Sequence, residues 1–173
     1  MDKPVIIEEY NEDWAFEYTQ EERKIKELLG TKAIAIEHIG STSVQGLGAK
    51  PIIDFMAGVN EWSDVDEFME PLAKLGYEHV YHREFPNRRF FRKGQWRAGT
   101  HHFHVYRYGS DEWNNNILFR DYLRTHSDVR EQYNHLKKTL AEKYPNDRAA
   151  YTNAKHPFIA DVIEKAKKEQ RST

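Results

Sequence analysis

A mixed α/β (α+β) domain of roughly five strands, followed by a helical tail, is the fold class this 173-residue chain predicts. Three observations predict it. Up to residue 108, segments with apolar residues at helical spacing interchange with short runs that alternate every second residue. From Ser110 onward only the helical period remains. Apolar residues make up 39% and aromatics 13%, enough to build a core in one domain of ordinary size.

The first helix is expected over residues 12–29. Asn11 can cap it, Glu12 and Asp13 suit the positive end of its dipole, and Gly30 can stop it. Residues 32–39 read as a strand closing on Gly40, and residues 51–59 as a second one. In the second, Ile53, Phe55, Ala57 and Val59 share one face, with Ile52, Asp54 and Met56 on the other. Ser63 opens the next helix, Pro71 should kink or break it, and Gly76 ends it. Extended pieces follow at 77–81, 89–92 and 100–108, with Lys93-Gly94 a candidate turn between the last two. Ser110 and Ser127 are candidate caps of two helices, Pro145 follows the second, and a last helix carries Phe158, Ile159, Val162 and Ile163. The division is thus a sheet core at about 31–108 and a helical tail at about 110–170 of a single domain.

Several functional classes drop out. The longest stretch without Asp, Glu, Lys or Arg, residues 38–49, is short and rich in Gly, Ser and Thr, so no membrane span is expected. The opening MDKPVIIEEY has no basic flank followed by an apolar stretch, which argues against a signal peptide. With no cysteine there is neither disulfide nor thiolate chemistry, and a cytoplasmic setting is the expectation. Basic (26) and acidic (28) residues nearly balance, so no global field demands nucleic acid. The basic, aromatic stretch at 85–97 fits an ordinary hairpin with a solvated face better than a nucleic-acid surface.

The chemistry concentrates in EHIGSTSVQGLGAKPIID, residues 37–54. Gly40 lets backbone approach an anion. The hydroxyls of Ser41, Thr42 and Ser43, with exposed N–H groups and the Lys50 cation, can hold phosphate oxygens. For Gly-Ser taken by itself, a serine-capped turn is the better explanation. Asp54 tips the balance, because a carboxylate inside an apolar strand needs a metal, a cation or water. In THHFHVYRY, residues 100–108, alternation sets His102, His104 and Tyr106 on one face. Histidines two apart on a strand are about 7 Å apart at Cα, close enough to share a divalent ion or to serve as acid or base.

These words resemble the GrpB family, which belongs to the nucleotidyltransferase superfamily. The matching words are IEHIGSTSV-GL-AKPIID (36–54), HFHV (102–105) and FRDYLR (119–124), with support from 10–14 and 151–158. The resemblance implies a nucleotidyltransferase-like mixed sheet flanked by helices. It makes Gly40 and Ser41 the phosphate-gripping pair and Asp54 the first metal carboxylate, with a nucleotide or phosphorylated small molecule as partner. It also implies a pair of Mg²⁺ ions held by carboxylates; with the residues present here, a divalent metal, Mg, Mn or Zn, is expected on Asp54, His102 and His104, helped by Glu37 or His38. Two departures stand out. Met56 occupies the second acid's place, and His102 and His104 stand where a third carboxylate belongs. In FRDYLR, Arg120 and Arg124 share a helix face. At least one is expected to reach the cleft, with Arg89, Arg92 and Arg107 as further phosphate-binding candidates. The leading expectation is metal-assisted nucleotidyl transfer. Its alternatives are a nucleotide-binding module without transfer chemistry and a histidine-dependent nucleotide hydrolase.

Overall fold

The computed structural model describes residues 4–95 and 98–172. Helix α1 (Asp13–Leu29) leads into strand β1 (Ala35–Ile39), and β2 (Ile53–Val59) follows the Gly-rich turn. Two short helices, α2 (Ser63–Asp66) and α3 (Met69–Lys74), precede β3 (Tyr77–Val80), β4 (Arg89–Gln95) and β5 (Ala98–Arg107). The tail is α4 (Asp111–Thr125), α5 (Ser127–Lys143) and α6 (Arg148–Ser172). The strands form one mixed sheet in the order β1-β2-β5-β4-β3, in which only β2 and β5 run parallel. No helix among the described residues is long and apolar enough to cross a membrane.

Local chemistry explains most boundaries. Asn11 Oδ1 accepts the Asp13 N–H at 2.9 Å, and Gly30 ends α1 at a φ of 58°. Ser110 Oγ accepts the Trp113 N–H and starts α4. Ser127, expected as a cap, is instead the first residue of α5, with His126 before it. The break that Pro71 imposes falls upstream of it, between α2 and α3. Proline has no N–H to give the Glu67 carbonyl, so continuous helix fails there. Lys93-Gly94 is not the hairpin turn: β4 runs through it to Gln95, and Gly94, at a φ of 109°, marks a register shift opposite Gly99. Trp96 and Arg97 of the basic, aromatic stretch lie outside the described residues.

The sheet separates two environments. On one side Ile53, Phe55, Phe103, Val105 and Phe91 bury against α1, α2 and α3, with Phe55 and Phe103 stacked at 4.6 Å between centroids. Burying a side chain of this size stabilises by roughly 1.5–3 kcal/mol, which fixes the strand register from this side. On the other side lie the tail helices and the polar residues of the same strands. A second cluster of Val44, Leu47, Leu123, Tyr133 and Val162 anchors the tail to the turn after β1.

Candidate functional site

Parallel pairing of β2 with β5 sets Asp54 beside His102 and Met56 beside His104. All four point to the tail side, because they alternate with Phe55 and Phe103 of the opposite core. His104 Nε2–H donates to Asp54 Oδ1 at 3.3 Å, and His102 Nδ1 lies 3.5 Å from the same oxygen. Gly40 crosses Asp54 from above: a Cβ at this position would fall 2.9 Å from Asp54 Oδ2. Burial alone would raise the Asp54 pKa, but the two imidazoles override it and hold the carboxyl well below the usual carboxylate range. Desolvation keeps His104 on the neutral side of its ordinary value, and its Nδ1 is buried with no hydrogen-bond partner.

Cations from the tail complete the hollow. Lys137 of α5, 2% exposed, donates to Ser41 Oγ at 2.8 Å and to the Gly48 carbonyl. Lys137, Lys155 of α6 and Lys50 together line a channel of about 120 Å³ that also touches Ser41, Asp54 and His102. Aromatic rings support them: Lys137 Nζ stands 4.8 Å from the Tyr133 centroid and Lys155 Nζ 4.7 Å from that of Tyr151. Desolvation, reinforced by mutual repulsion, pushes Lys137 down to about 7 and Lys155 down to about 8. Three ammonium groups facing one carboxylate make a cradle short of negative charge. The sequence reading missed Lys137 and Lys155. Their signal was a lysine set within each apolar helix stripe, beside Tyr133 and Leu140 in one and Tyr151 and Ile159 in the other.

The channel opens into a cleft of about 640 Å³ between the sheet, the loop after β3, α4 and α6. Tyr106, Asn116, Phe119 and Arg88 are on its walls. The arginine that enters this cleft is therefore Arg88, which lies over the rings of Phe85 and Phe90 at 4.5 and 5.1 Å. Arg89 faces the other side of the sheet, pairing with Val105 and lying 4.4 Å over Trp62, so its candidacy as a phosphate ligand is corrected. Neither arginine of FRDYLR lines the cleft, contrary to expectation. Arg120 is buried, bound to Glu37 at 2.7 Å, to Asp121 at 2.9 Å and to the His38 carbonyl. Arg124 gives two N–H groups to the Ser43 carbonyl on the far side of the turn. Arg92 shares the face of His102 and pairs with Glu78 at 3.5 Å, while Arg107 is exposed at the end of β5.

The same register decides between Glu37 and His38. Glu37 stands opposite Met56 and so faces the tail, where Arg120 holds it; His38, opposite Phe55, points to α1 and stacks on Tyr18. Of the turn hydroxyls, Ser41 faces the channel, Thr42 bonds His38 Nε2 at 2.9 Å, and Ser43 donates back to the Gly40 carbonyl.

The superfamily's paired-metal arrangement needs two carboxylates flanking the metals. Met56 fills the second place, 0% exposed against Ile39, Tyr106 and Trp113. Among the described residues no three His, Asp or Glu side chains are grouped to hold a metal ion. This donor set does not fit a pair of magnesium ions, and the positive charge near Ser41 is supplied by lysines instead.

Comparison with known proteins agrees with the architecture. The family described as GrpB protein matches residues 4–165. The chain is 37% identical to the glutamate-rich protein GrpB of Alkalihalophilus pseudofirmus over 163 residues, 92% of this chain and 94% of that one. The crystal structure of GrpB from Enterococcus faecalis superposes with a TM-score of 0.88 at 36% identity, over 95% of this chain and 99% of that one. The Cid1 poly(U) polymerase bound to MgGTP superposes with a TM-score of 0.56 at 15% identity. That match takes in 79% of this chain and only 44% of the polymerase, a likeness of fold. The chain belongs to the GrpB family and carries a nucleotidyltransferase-like fold.

Proposed function

We propose that this protein binds a nucleoside triphosphate, with the phosphates on the Ser41 turn and the base side in the large cleft, and transfers its nucleotidyl group to a small acceptor. The observation that carries this reading is the convergence of Lys50, Lys137 and Lys155 beside Ser41 and Asp54. Three partly desolvated lysines suit a polyphosphate, whose charge would hold their amines protonated, and partial exclusion of water strengthens the interaction. Gly40 gives the backbone its close approach, and Asn116, Tyr106 and Phe119 offer polar and aromatic contacts to a nucleoside. The likeness to nucleotidyltransferases supports the same reading.

Calorimetric titration of ATP, CTP, GTP and UTP tests it. At least one should bind, and Lys155→Ala should weaken that binding at least tenfold; an unchanged affinity, or no binding by the parent protein, overturns the proposal. Repeating the titration with Mg²⁺, Mn²⁺ or Zn²⁺ tests the expected divalent metal. A cation requirement abolished by Asp54→Asn places a metal at Asp54, and indifference to cations leaves the lysines as the counter-charge. Met56, buried where an acid is expected, favours a second reading in which binding persists without transfer. Pyrophosphate release from the bound nucleotide separates the two.

A further inference from the structure

A second recess lies across the phosphate channel from the nucleotide cleft. It measures about 460 Å³ and runs between the N-terminal segment, the start of β2 and the paired strands β4 and β5. Lys50, Ile52 and His102 line both this groove and the channel, so the two spaces meet at these residues, one of which, His102, has its Nδ1 3.5 Å from Asp54 Oδ1. Its polar wall carries Lys50, Arg92 and Arg148 against one carboxylate, the exposed Glu8. Its apolar wall is Ile6, Pro51, Ile52 and Phe90, and Ile6 is largely exposed. The groove thus sets cationic and apolar side chains around one space.

Among the described residues beside Asp54, no carboxylate stands free to take a proton from an alcohol acceptor, and Lys50, Lys137 and Lys155 serve as the counter-charge of the triphosphate. A hydroxyl nucleophile must give up its proton to a positioned base. Asp54 is already engaged by two imidazoles, Met56 cannot accept a proton, and His104 has Nε2 committed to Asp54 and Nδ1 buried. A phosphate monoester needs no such base, because its oxygens are ionised at neutral pH.

Resting on the triphosphate reading above, we infer that the acceptor is a phosphomonoester with an apolar body, seated in this groove. Lys50 and Arg148 hold its phosphate, and Ile52 and Phe90 its organic part. A phosphate oxygen of the acceptor attacks the α-phosphorus and forms a new P–O bond. The bond from that phosphorus to the bridging oxygen of the β-phosphate breaks, and pyrophosphate leaves with the electron pair. No proton moves, and the product is a diphosphate joining the nucleoside to the acceptor. Charge matching supports this choice: the lysines offset the leaving group on one side and the groove cations the nucleophile on the other.

The test uses butyl phosphate as probe, with 1-butanol and butyrate as controls, titrated into the whole protein and followed by NMR shifts. Butyl phosphate should bind at least tenfold more tightly than either control. Arg148→Glu and the groove-filling Ala98→Trp should each weaken it at least tenfold, while triphosphate affinity stays within threefold. Incubation with α-³²P-labelled triphosphates and butyl phosphate should then yield a labelled diphosphate and an equal amount of pyrophosphate. The inference is overturned if butyl phosphate binds no better than butanol, if both variants leave it unchanged, or if label passes to the alcohol or to no acceptor. Failure of triphosphates to bind while butyl phosphate still occupies the groove overturns the nucleotide reading and not the groove.

Discussion

The two faces of one pair of strands are built on opposite physical terms. Towards α1, β2 and β5 present Phe55, Ala57, Phe103 and Val105, all at 0% exposure and interlocked. Towards the tail the same strands present Asp54, His102 and His104, with about a third of the Asp54 and His102 side chains open to solvent. The apolar face gains from close packing and tolerates little change in volume. The polar face gains little from burial and is held by a few directed contacts. One face therefore carries the stability that lets the other keep unpaired charge, and the contrast can be broken from either side.

The largest effect belongs to the packed face. Phe103→Ala removes the ring stacked on Phe55 and should destabilise by about 3–5 kcal/mol, read as a lowered urea midpoint at unchanged slope. A loss under 1 kcal/mol would mean that this face does not fix the fold.

Next comes His38, an imidazole on the packed face. Burial first, and then Arg124 and Arg120, push it down to about 4, against the opposing pull of Asp54 and Glu22. The unfolded chain takes up a proton below pH about 6.5, whereas the folded one does not until about 4. Its contribution is therefore complete above pH 6.5 and is lost as the pH falls towards 4, by up to about 3 kcal/mol. Chemical denaturation between pH 4 and 7 measures this, and His38→Gln should flatten the curve.

The smallest of the three sharpens the polar face. Gly40 has a φ of 71° and a ψ of −174°, a region that side chains avoid, and an added methyl would press on Asp54. Gly40→Ala should cost about 1–3 kcal/mol and weaken triphosphate binding as well. Intact affinity in this variant would show that the turn does not approach the phosphates.

The fold and half of the site were legible because strands repeat every two residues. Alternation alone set Asp54 with Met56, and His102 with His104, without any knowledge of which strands pair. It could not choose between Glu37 and His38, since that needs the register of β1 against β2, where Glu37 stands opposite Met56. The assignments of Arg89, Arg120 and Arg124 to the cleft failed for a related reason. Arg88 and Arg89 are adjacent in sequence but serve the cleft and the packed side respectively. Lys137 and Lys155 meet Ser41 and Asp54 only through docking of helices some hundred residues away. Local sequence holds no record of such a meeting beyond a charge placed in an apolar stripe.

The origin of those lysines has a consequence for assembly. Ser41 and Asp54 belong to the sheet half and Lys137 and Lys155 to the helical half, so neither piece alone holds the full set of proposed phosphate contacts. The set is complete only when the last helices settle, and until then the strands present Asp54 with its two imidazoles and Lys50 as the channel's one ammonium group. A polyanion bound as proposed would therefore report on docking of the last helices, and a form lacking α6 would keep the carboxylate and Lys137 but lose Lys155.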